Sequence, residues 1–130
     1  MSSPESAPPR VGLLTEDLMV RSRVEVALRP RAVRVELLTL GALPIGYDLL
    51  LVDLNRDPTV RLAWLKPALG ASPVAQAICF GPHTEMARLH PLAMETGARR
   101  CVANSHLPDT LGRWLRSRRE GVQSPRRGEV

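Results

Sequence analysis

Aromatic side chains are almost missing from this chain of 130 residues: one Phe, one Tyr and two Trp make up 3% of it. A core must therefore be assembled from Leu, Val and Ala, and the stacking platform that single-stranded nucleic acids need is absent. Cysteine is nearly as scarce. Cys79 and Cys101 stand inside separate apolar runs with no close-spaced partner, which excludes a cysteine-rich zinc site and reads as two buried thiols of a reducing cytosol. No window approaches the ~18 apolar residues needed to span a bilayer. The opening MSSPESAPPR also lacks the apolar centre of a signal peptide, so the expected location is the cytoplasm, with no membrane insertion. Phosphate-binding loops are missing too. Gly41 and Gly46 lack the G-x-x-G spacing and no G-K-S/T run occurs, so nucleotide hydrolysis has no support, and no Ser-His-Asp set stands out.

The chain does have enough residues for one domain with a real core, with 44% apolar and 24% charged side chains. Its net charge of +5 comes from arginine, which far outnumbers lysine. Much of the excess follows Leu111, in Arg113, Arg116, Arg118, Arg119, Arg126 and Arg127. A solvated helix face with a frayed end accounts for these as well as a polyanion partner does, and nucleic-acid binding is not the expected function.

Residues 1–9 and 120–130 carry no apolar period and are expected to be disordered, which leaves a domain over 10–119. Val11 to Thr15 reads as a strand. Met19, Val20, Val24, Ala27 and Leu28 then recur at helical spacing until Pro30. Val33, Val35 and Leu37 alternate with charged residues, as in a half-exposed edge strand, whereas Leu49 to Val52 is apolar throughout, as in a central one. Asp57-Pro58 offers an N-cap and first-turn proline for a helix carrying Val60, Trp64 and Leu65 and ending near Pro67. Val74 to Phe80 predicts a buried strand, and Thr84 to Thr96 a helix interrupted by Pro91 and closed by Gly97. Cys101 to Ala103 is a last short strand. Pro108 starts a final helix with Leu111, Trp114 and Leu115 on one face. Strands alternating with helices imply a doubly wound α/β fold, a five-stranded parallel sheet with right-handed crossovers. About ten residues, Leu38 to Tyr47, join the second strand to the third, so that crossover is expected to be a loop instead of a helix.

Ligands of such sheets bind where the strands end. Glu16 and Asp17 follow the first strand, Asp53 the third, Gly81-Pro82-His83 the fourth and Asn104-Ser105-His106 the fifth. Carboxylates after two central strands suit a hard cation such as magnesium, and they suit an aspartate that accepts phosphate. A strand-ending cap at Asp53 and a helix cap at Glu16 or Asp17 are the plainer alternatives. His83 and His106 read as loop surface, as does His90 beside Pro91.

The stretches VGLLTEDLMVRSRVEVAL, DLLLVDLN and AMETGARRCV together resemble the receiver domain of bacterial response regulators over Val11 to Leu115. The resemblance implies the flavodoxin-like fold and a magnesium site at Glu16, paired with Thr15 or Asp17, and it makes Asp53 the phosphoacceptor. It also implies a hydroxyl residue ending the fourth strand, where Phe80 or Gly81 stands, and a lysine ending the fifth, where Asn104 stands. Both switch residues are missing, and the aromatic that reports the switch is replaced by Cys101. The chain is thus similar to a pseudo-receiver, with a degenerate pocket made of Glu16, Asp17, Asp53, Gly81 and Asn104.

A phosphorylation-independent signalling module acting by protein–protein contact is the expected function, not an enzyme. Its partner is expected to be a protein, or a second copy in a homodimer. Receivers contact partners through the face around their last strand, which here implies Arg88, Leu92, Arg99, Arg113 and the edge of Trp114. The alternative is a single-domain response regulator phosphorylated on Asp53 with magnesium held by Glu16 and Asp53.

Overall fold

The computed structural model describes residues 8–120, with the side chains of residues 119 and 120 excepted. Most of the terminal stretches expected to be disordered therefore lie outside the described residues. Pro9, however, is buried and its carbonyl accepts from Arg34 N at 3.1 Å.

Five strands, β1 (Arg10–Leu14), β2 (Arg34–Leu37), β3 (Leu49–Asp53), β4 (Gln76–Gly81) and β5 (Arg100–Ala103), form one parallel sheet in the order β2-β1-β3-β4-β5. Four helices, α1 (Leu18–Leu28), α2 (Pro58–Ala71), α3 (Met86–Thr96) and α4 (Leu107–Glu120), cover its two faces. The doubly wound fold read from the sequence is the observed one.

The two-residue period of β3 divides the core. Leu49 and Leu51 pack with Val11, Leu13, Ile78 and Phe80 under α1 and α4, while Leu50 and Val52 pack with Leu14, Ala77 and Cys79 under α2 and α3. All five β3 residues are buried, as a central strand requires, and β2 is a half-exposed edge.

No helix joins β2 to β3. Gly12 makes this possible: a Cβ there would stand 2.6 Å from Leu38 Cδ1, so the bare backbone lets the first loop residue lie on the sheet. The loop is then pinned to α2. Trp64 Nε1 donates to the Ala42 carbonyl at 3.2 Å, and Ser72 Oγ donates to the Pro44 carbonyl at 2.9 Å while accepting from Tyr47 N at 3.0 Å.

Several boundaries differ from expectation. α2 runs through Pro67 to Ala71, because Leu65 and Ala68, both fully buried, hold the helix on the sheet despite the lost backbone bond. Val60 faces outward, 54% exposed. Asp57 does not cap α2 by its side chain; it sits in the left-handed region at φ 47°, with Pro58 opening the helix. β4 starts at Gln76, leaving Val74 exposed. His83–Glu85 is a turn of 3-10 helix, and Pro91 lies within α3 without interrupting it. α4 begins at Leu107 after a similar turn at Asn104–His106.

Candidate functional site

The carboxyl ends of β1, β3, β4 and β5 meet around Asp53, which is only 4% exposed. The β1–β3 register that sets Leu14 beside Val52 brings Thr15 next to it, and Thr15 Oγ1 donates to Asp53 Oδ2 at 2.6 Å. The other oxygen accepts twice. Asn55 N reaches Asp53 Oδ1 at 2.8 Å and Asn55 Nδ2 reaches it at 2.7 Å, a side-chain turn of the kind aspartate favours. Three neutral donors from this chain thus occupy the carboxylate.

Asn104, the first residue after β5, joins the same network. Its Nδ2 donates to Asn55 Oδ1 at 2.9 Å and its Oδ1 accepts from Asn55 Nδ2 at 3.0 Å, a reciprocal amide pair. No lysine stands near: Lys66, the single lysine of the sequence, is exposed on α2.

The cation of the site is Arg61, a residue that the sequence reading missed. Its guanidinium, 2% exposed, donates to the Asp53 carbonyl at 2.9 Å through Nη1 and to Glu16 Oε1 through Nη2. Arg61 shares the inward face of α2 with Leu65 and Ala68, at spacings of four and seven, so an arginine in an apolar helical stripe was the available signal. Thr15 and Asn55 were missed as well.

The structure thus brings together Glu16, Asp53 and Asn104 and separates Asp17, whose Oδ1 accepts from Met19 N at 2.8 Å as the cap of α1. Gly81 ends β4, and a Cβ there would meet Leu89 and Met86 on the α3 side. Phe80 stands opposite Asp53 in the β3–β4 register. No hydroxyl is supplied from either position. Nor do the residues fit a magnesium ion: Glu16 is tied to Arg61, the Asp53 oxygens carry Thr15 and Asn55, and among the described residues no group of three or more His, Cys, Asp or Glu could hold a metal.

Around β5, Arg88, Leu92, Arg99 and Arg113 are exposed on the surface expected to meet a partner, with Arg88 paired to Glu85 and Arg113 to Asp109. Trp114 is not part of that surface. It is 5% exposed, packed with Leu111 and Leu115 against the sheet, because a bulky aromatic in a chain so poor in them is taken up by the core. Cys79 and Cys101 are buried register partners of β4 and β5, and burial pushes both thiols up, which keeps them protonated and unreactive.

At the level of sequence, no family model and no curated protein matches this chain. Solved structures do. The chain is similar to a CheY-like protein (tadZ) from Pseudomonas aeruginosa, with a TM-score of 0.73 at 16% identity over 92% of this chain and 99% of that one. A response regulator from Thermotoga maritima gives 0.67 at 14% identity, over 88% and 100%. A putative pilus assembly protein (cpaE) from Burkholderia thailandensis gives 0.65 at 17%, over 87% and 99%. The fold is therefore that of response regulator receiver domains. At these identities, the likeness is one of fold.

Proposed function

We propose that this chain is a receiver-like signalling module that acts by protein–protein contact, without phosphorylation of Asp53 and without being an enzyme. The observation that carries this reading is the occupied carboxylate. Asp53 accepts three hydrogen bonds from neutral groups of its own chain, with the Asn104 amide where the resemblance calls for a lysine.

A phosphoryl group added to Asp53 would displace those donors and bring negative charge that an amide dipole does not neutralise. Phosphoryl transfer depends almost wholly on positioned charge, and each missing contact costs on the order of 3 kcal/mol, or about a hundredfold in rate. Arg61 does not make up the loss, since its guanidinium is spent on the Asp53 carbonyl and on Glu16. The partner is a protein that reads the arginine-bearing surface of Arg88, Leu92, Arg99 and Arg113.

One observation favours a second reading: a buried aspartate still ends β3, where receivers are phosphorylated. Intact-mass spectrometry after incubation with acetyl phosphate and magnesium separates the two. The expected spectrum is unchanged. A gain of one phosphoryl group that disappears in Asp53→Asn would establish the single-domain response regulator instead.

A further inference from the structure

Beside Asp53, between the first turns of α1 and α4, lies a cleft of about 220 Å³. Val20, Phe80, Leu107 and Leu111 make its apolar wall, and Asn55, Asn104 and Arg23 stand on its polar side. A cavity of ~150 Å³ lined by apolar side chains holds benzene, so this one admits a single ring with a small substituent.

The polar side can be counted atom by atom. A primary amide has two N–H donors and two oxygen lone pairs, all in one plane. In the reciprocal pair, Asn55 and Asn104 each use one N–H and one lone pair on the other, and Asn55 spends its second N–H on Asp53. The edge turned to Asp53 is thereby engaged. On the opposite edge, the second N–H of Asn104 stands next to the second lone pair of Asn55 Oδ1, and among the described residues neither has a partner. A donor and an acceptor side by side are what the major-groove edge of an adenine–thymine pair presents.

We infer that the cleft binds a small flat molecule, one ring bearing a carboxamide or lactam group. Its carbonyl accepts from Asn104 Nδ2, its N–H donates to Asn55 Oδ1, and its ring lies against Val20, Leu107 and Leu111. Asp53 and Asp17 close to the amide pair disfavour an anion there, which sets the group's charge at zero. The inference goes beyond protein–protein contact: it gives the unmodified pocket a chemical signal to receive.

The test titrates the ¹⁵N-labelled full chain with benzamide, methyl benzoate and benzoate. Benzamide is expected to saturate, shifting the side-chain NH₂ signals of Asn104 and Asn55 and the backbone signals of Val20 and Leu111. Methyl benzoate, which cannot donate, should bind about tenfold more weakly, and Asn104→Ala should weaken benzamide by about the same factor. Val20→Trp, which plugs the cleft from half-buried α1 surface without touching the amide pair, should abolish the shifts. Equal binding of benzamide and methyl benzoate overturns the donor–acceptor assignment. Tighter binding of benzoate, lost in Arg23→Ala, makes this an anion site and overturns it too, as does the absence of any saturable shift.

Discussion

Arg61 holds the floor of the pocket from below, and its two bonds are unequal in worth. The bond to the Asp53 carbonyl is buried, whereas the Glu16 side chain is 56% exposed, where water screens the pairing. Arg61→Ala loses a charged hydrogen bond and a buried stem, so a destabilisation of about 3 kcal/mol is expected in urea unfolding. Glu16→Gln should cost less than about 1 kcal/mol. Equal losses would mean that the ion pair, not the carbonyl bond, secures the arginine. Asp53 and Asn104 were legible in the sequence because an apolar run that stops abruptly marks a strand end. Thr15 and Arg61 were not, for a physical reason: Thr15 reaches Asp53 only through the register of two strands 38 residues apart, and Arg61 through the docking angle of a helix. Neither is a property of local pattern.

Elements were more legible than side-chain roles, since hydrophobic period reports which face is buried. The boundaries that moved did so where packing overrode a local signal, as at Pro67 and Pro91, both carried inside helices anchored by buried Leu and Ala. The short crossover was foreseen from its length, but the clasp beside it was not. Arg10 on β1 donates to both oxygens of Glu36 on β2, at 3.2 and 3.1 Å, Tyr47 Oη donates to Glu36 Oε1 at 2.8 Å, and the Arg10 guanidinium lies 4.2 Å from the Tyr47 ring centre. Hydrogen bonds from Arg10, then from Tyr47, hold the Glu36 carboxyl below its ordinary value. A carboxyl with a depressed folded pKa adds stability above its unfolded value, near pH 4.3, and that stability is lost as pH falls through the folded value. Acid unfolding of Glu36→Gln should therefore show a shallower loss below about pH 4.3 than wild type, and parallel curves would show that the clasp contributes nothing to the acid response.

For the whole molecule, the two-sided core decides which surface is free to meet a partner. α1 and α4 close one face and α2 and α3 the other, so the edge beside β5 and the outer faces of α3 and α4 remain. Arg113→Glu breaks only an exposed pair with Asp109 and should change stability by less than about 1 kcal/mol while releasing partners bound through this surface. Trp114→Ala should cost about 3–5 kcal/mol, and any binding it loses would reflect unfolding. Partners retained by folded Arg113→Glu and Arg99→Glu would move the interaction elsewhere. The missing crossover helix carries a consequence for how the molecule comes apart. β2 pairs with β1 alone and has no buried residue, while β3 lies between two neighbours with every residue buried. Amide hydrogen exchange should reveal β2 as the first strand to open, by a local fluctuation almost insensitive to urea, while the amides of Leu50 and Leu51 exchange only through global unfolding. Equal protection of the two strands would mean that Arg10, Glu36 and Tyr47 weld the edge to the core.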